Sequence, residues 1–256
     1  MNPTQKQFSL NRGASNSYQF LLASGWLFFL ILVWFSRDRI MNRLGISRGS
    51  EQQQMIVHSR TKWFANDLAS NPWLSNHPPV LLLGDSHIEL GKWYPLFRGR
   101  FPIRNLGISM SRIAHATEIA KNIDPAKASA LVILSGSNDL AAGDSVDQCL
   151  AAFRKLFETI KTRFPDRPVI VLSLPPAGRS LGGQNLSSIN AKIGDLNREL
   201  ARESPRYGFM FLDLAPLLAK GGTLYPALTF DGQHLNDLGY ATIANPLFQV
   251  LSKACS

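Results

Sequence analysis

The sequence predicts an α/β protein: a three-layer sandwich around a central, mostly parallel sheet of five strands, preceded by one N-terminal transmembrane helix. Two observations predict this architecture. From about residue 79 onward, short apolar runs rich in Val, Ile and Leu alternate with stretches of helical periodicity, which is typical of a parallel sheet buried on both faces. Nearer the N-terminus, a long run lacks any formal charge, as a membrane span requires.

The uncharged run covers residues 13–36, and its centre, residues 20–35, is almost wholly apolar. At 1.5 Å of rise per helical residue, this length matches a hydrocarbon core about 30 Å thick. Tyr18 and Trp34 stand near its ends, where aromatic rings favour the membrane interface. A cleaved signal peptide and a buried core helix are the alternatives, but the run is long for a signal and lacks a small-residue cleavage site. We therefore predict an uncleaved anchor at residues 18–36.

The anchor divides the chain into further segments. Residues 1–17 form an N-terminal tail, residues 37–78 a juxtamembrane stalk with a short amphipathic helix near 51–68, and residues 79–256 the globular domain. The formal net charge of +9 is concentrated near the anchor, because residues 1–48 hold six Lys or Arg and one acidic residue. Basic residues beside an apolar run favour a membrane partner over a nucleic acid, so we expect no nucleic-acid partner.

The composition excludes several other classes of protein. Hydrophobic residues make up 45% of the chain, and its 19 Gly and 15 Pro follow no fixed period, so the chain is neither disordered nor a collagen-like or repeat protein. Its two cysteines, Cys149 and Cys255, cannot make a disulfide-stapled scaffold or a thiolate-rich metal site. No two histidines have the spacing of metal ligands beside a carboxylate. We therefore expect no metal and no cofactor.

Within the domain, turn residues separate the predicted strands from the predicted helices. The strands are expected at residues 80–83, 103–106, 131–134, 169–172 and 209–212, and the helices at 113–122, 146–164, 186–203 and 236–251. In an open parallel sheet, ligands bind beyond the carboxyl ends of the strands. Reactive side chains are therefore expected in the loops that follow the strands.

Four polar segments occupy such positions. They are Gly84-Asp85-Ser86-His87 after the first strand, residues 105–109 after the second, residues 136–139 after the third, and residues 231–235 before the last helix. Each segment alone is an ordinary turn or helix cap. Their joint placement indicates a site, because three of them follow successive strands of one sheet.

The residue types in these segments fit nucleophilic catalysis. A serine hydroxyl needs a base within hydrogen-bond reach, and the base needs an acidic partner that fixes its tautomer. We predict Ser86 as the nucleophile, His234 as the base and Asp231 as the orienting acid. The three-residue offset between Asp231 and His234 lets one turn present both side chains to the same cleft.

Attack on an acyl carbonyl creates an oxyanion that needs hydrogen-bond donors already in place. The predicted donors are the backbone N–H groups of Ser86 and Gly107 and the side-chain amide of Asn138. Glycine at position 107 allows close approach of the main chain. An amide at position 138 can donate a hydrogen bond, whereas a carboxylate cannot.

The four segments resemble the signature blocks of the SGNH hydrolase superfamily, also called the GDSL esterase/lipase family. Ser86, Gly107, Asn138 and His234 match its four signature residues in order, and Asp231 matches its triad acid. The resemblance runs from about residue 80 to the C-terminus and implies the flavodoxin-like fold of that superfamily. One departure is His87, where the family name expects leucine. Because His87 is adjacent to Ser86, it is poorly placed to act as the base and is expected to be structural.

The resemblance implies serine-dependent acyl-ester chemistry without fixing the substrate. Membrane-tethered members resemble parts of systems that add or remove acetyl groups on exopolysaccharides or cell-wall glycans. We therefore favour removal, or transfer, of a small acyl group on a carbohydrate, with a polysaccharide-modification complex as a partner. Transfer to a sugar hydroxyl would make the protein an O-acetyltransferase that uses the same residues. The alternatives are a lysophospholipase or thioesterase acting on lipid esters, and a non-catalytic glycan-binding or assembly subunit.

The same resemblance places the protein in a bacterial inner membrane as a single-pass protein, with its catalytic domain in the periplasm. The basic residues that flank the span favour a cytoplasmic domain instead, because two Lys or Arg precede the span and four follow it. The positive-inside rule is weak for long translocated domains. The periplasmic orientation is therefore kept as the expectation.

Overall fold

The computed structural model describes residues 48–71, 77–97 and 99–255. Met55–Ser256 form one compact unit. The predicted tail at 1–17 and anchor at 18–36 lie outside the described residues. Among the helices of the described residues, none is long and apolar enough to cross a membrane.

Five strands form one sheet, and each pair of neighbours in it is parallel. The prediction of a central parallel sheet is confirmed. The strands are β1 (Val80–Gly84), β2 (Ile103–Gly107), β3 (Ala130–Leu134), β4 (Val169–Leu172) and β5 (Met210–Leu212). Their order in the sheet, β2-β1-β3-β4-β5, is the doubly wound order of flavodoxin-like folds.

Nine α-helices lie in the described residues, and four of them are turns of only four or five residues. They are α1 (Arg48–Ser70), α2 (Ser86–Glu89), α3 (Trp93–Leu96), α4 (Ile113–Asn122), α5 (Ser137–Ala141), α6 (Val146–Arg163), α7 (Leu186–Glu203), α8 (Ala215–Leu218) and α9 (Asp237–Ala254). A two-stranded antiparallel ribbon, β6 (Ala219–Lys220) and β7 (Thr223–Leu224), precedes the last helix.

Side chains of the sheet alternate between two hydrophobic cores, as the period of two along a strand requires. On β1, Leu81 and Leu83 belong to one core, and Val80 and Leu82 belong to the other. Helices α1, α4, α6 and α7 contribute to the first core, and α3, α8 and α9 to the second. The sheet therefore lies between two helical layers, which confirms the predicted three-layer sandwich.

Helix α1 overlaps the segment that the sequence assigns to a stalk, residues 37–78. Its side chains Val57, Phe64 and Leu68 are buried in the same core as β1 and β2. Asp67 also forms an ion pair with Arg104 of β2, with 3.0 Å between the charged atoms. The amphipathic pattern near 51–68 thus marks a helix that is packed into the unit, and the unit begins before the expected boundary at residue 79.

Candidate active site

The turn between β1 and α2 presents Ser86. Ser86 is the first residue of α2, and the side chain of Asp85 caps this helix by accepting a hydrogen bond from the N–H of His87 at 3.0 Å. The preceding Gly84 packs closely on β3, because a Cβ there would lie 2.0 Å from the carbonyl oxygen of Leu134. The first N–H groups of a helix have no acceptor within the helix, so the N–H of Ser86 points out of α2.

The loop before α9 presents His234 to that serine. The Nε2 atom of His234 lies 3.0 Å from the Oγ atom of Ser86, and its Nδ1 atom lies 2.8 Å from Oδ2 of Asp231. The other carboxylate oxygen of Asp231 accepts the N–H groups of Gln233 and His234 at 2.9 and 2.7 Å. The structure therefore brings together the three side chains that the sequence singled out, with the spacing of a nucleophile, a base and an orienting acid.

Hydrogen bonds fix the charge of Asp231. Burial raises the pKa of this carboxyl group, but the backbone and side-chain hydrogen bonds from His234 and the N–H of Gln233 lower it more, to about 2. The carboxylate is ionised throughout the neutral range and accepts the Nδ1 proton of His234. In that tautomer the Nε2 atom carries a lone pair toward the hydroxyl of Ser86.

Asn138 comes from the start of α5, directly after β3. One hydrogen of its side-chain amide is donated to the carbonyl oxygen of Ser111 at 2.8 Å. A primary amide has two donor hydrogens, so this bond holds the side chain and leaves one hydrogen for another acceptor. The carbonyl of Ser111 thus fixes which way the amide faces.

Gly107 occupies the position predicted for an oxyanion donor, but its N–H already has an acceptor. It donates to Oδ1 of Asn105 at 2.9 Å. A Cβ at position 107 would lie 2.3 Å from the backbone nitrogen of Glu89, so the glycine is needed for β2 to pass close to α2. The amide of Asn105 donates to the carbonyl oxygens of Ile88 and Glu89 at 2.8 and 3.1 Å. These contacts give Gly107 a packing role and leave its N–H unavailable to a ligand in this conformation.

Met110 is a residue that sequence reasoning missed. It has a φ of 63° and is 70% exposed, although this left-handed conformation is strained for a side chain other than glycine. Its neighbours are held in place: the N–H of Ser109 donates to Glu89 at 2.6 Å, and the hydroxyl of Ser111 donates to the carbonyl of Gly84 at 3.1 Å. Within the described part of the chain, no acceptor takes the N–H of Met110. Nothing in the residue type signals this conformation.

Asp139 of α5 holds the end of the loop that carries Met110. Its carboxylate accepts the N–H of Ile113 at 3.1 Å and forms an ion pair with Arg112 at 3.2 Å. Burial raises the pKa of Asp139 to about 6, although the charge of Arg112 opposes this shift. The pair joins the loop at 109–112 to the helix that carries Asn138.

The side chains of His115, His58 and Cys149 take no part in the hydrogen bonds that join Ser86, His234 and Asp231. The Nδ1 atom of His115 accepts the N–H of Arg112 at 2.9 Å, and His58 is exposed on α1. Burial raises the pKa of Cys149 to about 12, which keeps its thiol protonated. Over the residues that the structure covers, no group of three His, Cys, Asp or Glu side chains could hold a metal ion.

An apolar surface adjoins His234. Phe230, which is 64% exposed, stacks on the ring of His234 with 5.7 Å between the ring centroids and 16° between the planes. Phe230 also lines a cavity of about 530 Å³ together with Leu90, Leu235 and Leu238. An acyl chain or an alcohol with apolar groups would find matching surface there.

Comparisons with known proteins bear on the family and the fold of the chain. The model of the GDSL-like lipase/acylhydrolase family matches residues 82–242. No curated protein matches the chain.

Several solved structures are similar to the chain. A protein from Streptococcus pneumonia has 19% identity and a TM-score of 0.69, over 82% of this chain and 99% of that chain. A protein from Bacteroides fragilis NCTC 9343 has 23% identity and a TM-score of 0.61, over 75% of this chain and 96% of that one. A GDSL-like lipase from Bacteroides thetaiotaomicron VPI-5482 has 21% identity and a TM-score of 0.64, over 76% and 98%. At these identities, the likeness shows a shared fold.

Proposed function

Because the chain belongs to the GDSL-like lipase/acylhydrolase family, whose general activity is the hydrolysis of carboxylic esters, we propose that it acts through a serine acyl-enzyme formed on Ser86. The observation that carries the proposal is the chain of two hydrogen bonds, 3.0 Å from Ser86 to His234 and 2.8 Å from His234 to Asp231. Such a chain activates a hydroxyl that would otherwise be a weak nucleophile.

The proposed reaction has two half-steps. In the first, Nε2 of His234 takes the hydroxyl proton as Oγ of Ser86 attacks the acyl carbonyl. His234 then returns that proton to the departing alcohol as the carbon–oxygen bond breaks. In the second, water attacks the acyl-enzyme by the same route and releases the acid, while Asp231 stabilises the imidazolium in both. A sugar hydroxyl in place of water would make the enzyme an O-acetyltransferase.

The oxyanion needs donors that are free when the substrate binds. The N–H of Ser86 and the second amide hydrogen of Asn138 meet this condition. The N–H of Gly107 meets it only if the bond to Asn105 breaks. The free N–H of Met110, held between the anchored residues Ser109 and Ser111, is the better third donor, and we assign it that role in place of Gly107.

For the substrate, we favour small acyl groups such as acetyl on a carbohydrate or exopolysaccharide. Support comes from the exposure of Met110 and Phe230, which lie in the loops next to the proposed donor and the proposed base and leave room for a bulky acyl acceptor. A lysophospholipase or thioesterase acting on lipid esters is the second candidate, and the apolar side chains Leu90, Phe230 and Leu238 in the lining of the cavity favour it. A non-catalytic glycan-binding or assembly role is the third.

A panel of esters tests these assignments. The full chain, purified in detergent, would be incubated with p-nitrophenyl acetate, with longer-chain p-nitrophenyl esters and with acetylated oligosaccharides. We expect kcat/KM to fall as the acyl chain lengthens, and a rise with chain length would favour the lipid-ester candidate. A fluorophosphonate probe should label the wild type but not Ser86→Ala. If the probe labels neither the wild type nor Ser86→Ala, the non-catalytic role is the candidate that remains.

We further propose that the segment at 18–36 anchors the protein in a bacterial inner membrane with the catalytic unit in the periplasm. Support comes from the length and apolar character of the segment. A C-terminal alkaline-phosphatase fusion is expected to be active, and a fluorescent-protein fusion dark. The reverse pattern would place the unit in the cytoplasm, and release of the protein by high salt would contradict the anchor.

A further inference from the structure

His87 is buried between the two loops that carry the proposed nucleophile and base. The exposed fraction of its side chain is 4%, and that of its neighbour Asp85 is 1%. Its Nδ1 atom lies 3.1 Å from Oδ1 of Asp85, and its Nε2 atom lies 3.1 Å from the carbonyl oxygen of Gln233. Gln233 is the residue directly before His234. The ring of His87 therefore joins the Ser86 turn to the His234 loop.

Both partners of this ring are hydrogen-bond acceptors. A carbonyl oxygen cannot donate, so Nε2 must carry a proton to bond Gln233. An ionised carboxylate cannot donate either, so Nδ1 must carry a proton to bond Asp85. A neutral imidazole has only one N–H and would leave a lone pair facing one of these oxygens. Only the doubly protonated ring satisfies both contacts.

The proton between His87 and Asp85 belongs on the ring. Imidazole is a stronger base than a carboxylate, with ordinary pKa values of about 6.5 and 3.9. The second oxygen of Asp85, Oδ2, is buried and has no hydrogen-bond partner in the described structure. Burying a carboxylate that has an oxygen without a hydrogen-bond donor costs free energy unless a positive charge lies beside it. The imidazolium form of His87 supplies that charge.

The groups around the ring favour the same state. Burial lowers the pKa of His87, but the hydrogen bond and charge of Asp85, the carbonyl of Gln233 and the charge of Asp231 together raise it above its ordinary value. Two other titratable groups face this region. His234 has its ring centroid 5.7 Å away, and Tyr240 of α9 donates its hydroxyl to the carbonyl oxygen of His87 at 2.8 Å.

We propose that His87 is held as an imidazolium, paired with Asp85, and acts as a positioning residue that sets the distance between His234 and Ser86 through the carbonyl of Gln233. The role rests on the proposed function, because it assumes that His234 serves Ser86 as a base. Leucine at this position, as the family name expects, would supply neither hydrogen bond. The proposal therefore identifies a feature of this chain that the shared motif lacks.

The protonation state can be measured without any substrate. In the ¹⁵N-labelled full chain, NMR of the ring nitrogens should show a proton on both nitrogens of His87 at neutral pH, with the signals assigned by their loss in His87→Gln. A bare ring nitrogen on His87 at neutral pH would overturn the proposal. This measurement decides the state of His87 even if Ser86 proves unreactive, so it separates this proposal from the proposed function.

The positioning role is measured by the rate at which a fluorophosphonate labels Ser86. We expect His87→Leu to label about tenfold to a hundredfold more slowly, since a shift of about 1 Å in a catalytic group has effects of this size. His87→Gln keeps one donor for the carbonyl of Gln233 and should recover part of the rate. His58→Gln, on the exposed face of α1, is the matched control and should label like the wild type.

The pH profile separates positioning from simple stability. Because the folded-state pKa of His87 is raised, its contribution is present at low pH and is lost as the pH rises through that value. Wild-type labelling should therefore decline on the alkaline side, and His87→Leu and His87→Gln should lack this decline. Circular dichroism checks that the variants fold. If His87→Leu does not fold, the comparison is made with His87→Gln. The positioning role would be contradicted if a folded variant were labelled at the wild-type rate. It would also be contradicted if the variants showed the same decline at alkaline pH as the wild type.

Discussion

Replacing Ser86 by alanine is expected to reduce ester hydrolysis by at least about 10³-fold, and replacing His234 by alanine should have an effect of similar size. The physical reason is the 3.0 Å contact between Oγ of Ser86 and Nε2 of His234. Without the hydroxyl no acyl-enzyme forms, and without the imidazole the hydroxyl keeps its proton. Initial rates on p-nitrophenyl acetate measure both losses.

The double variant is the sharper test. Because nucleophile and base act as one unit, Ser86→Ala combined with His234→Ala should lose little more activity than either single variant. His58→Gln is again the control and should keep full activity, since His58 is exposed on α1. Independent, multiplicative losses in the double variant, or near-normal turnover by either single variant, would contradict the triad.

Asn138→Ala should lower kcat by about 10²- to 10³-fold with little change in KM, because its free amide hydrogen meets charge that develops only in the transition state. Asn138→Asp should be at least as harmful, since a carboxylate would face the oxyanion with like charge. Steady-state kinetics on p-nitrophenyl acetate separate kcat from KM.

The control for this substitution is Asn122→Ala, at the end of α4. The amide of Asn122 bonds Glu118 on its own helix and is exposed, so this variant should retain wild-type kinetics. If the loss in Asn138→Ala fell entirely on KM, Asn138 would be a substrate-binding residue. If the variant unfolded at lower temperature by circular dichroism, the bond to Ser111 would account for the loss.

The sequence predicts the long elements well because their signals are local. The bounds of α4 and α7 agree with the structure to the residue, since each helix has a complete amphipathic pattern. Helix α7 begins at a capping side chain, Asn185, which accepts the N–H of Ser188 at 2.8 Å. The helices α2, α3, α5 and α8 were not predicted, because four or five residues do not complete a helical hydrophobic period.

The candidate site was predictable where topology alone brings residues together. Ser86 and Asn138 follow neighbouring strands β1 and β3, so their convergence follows from the alternation of strands and helices. The hydrogen bond that occupies the N–H of Gly107 was not predictable. Its acceptor, Asn105, lies two residues away on the same strand, and only side-chain geometry identifies it. The conformation of Met110 runs against its residue type and had no sequence signal.

Helix α1 has a consequence for how the compact unit folds. Val57, Phe64 and Leu68 each remove an apolar side chain from water, at about 1.5–3 kcal/mol per side chain, so the three contribute about 4.5–9 kcal/mol. The net stability of a domain is about 5–15 kcal/mol. Arg60 of the same helix pairs with Glu89, which also bonds Ser109 beside Met110. A polypeptide that begins at residue 79 would keep every residue of the site. It would lose a contribution to its folding free energy that is about as large as the net stability of a whole domain.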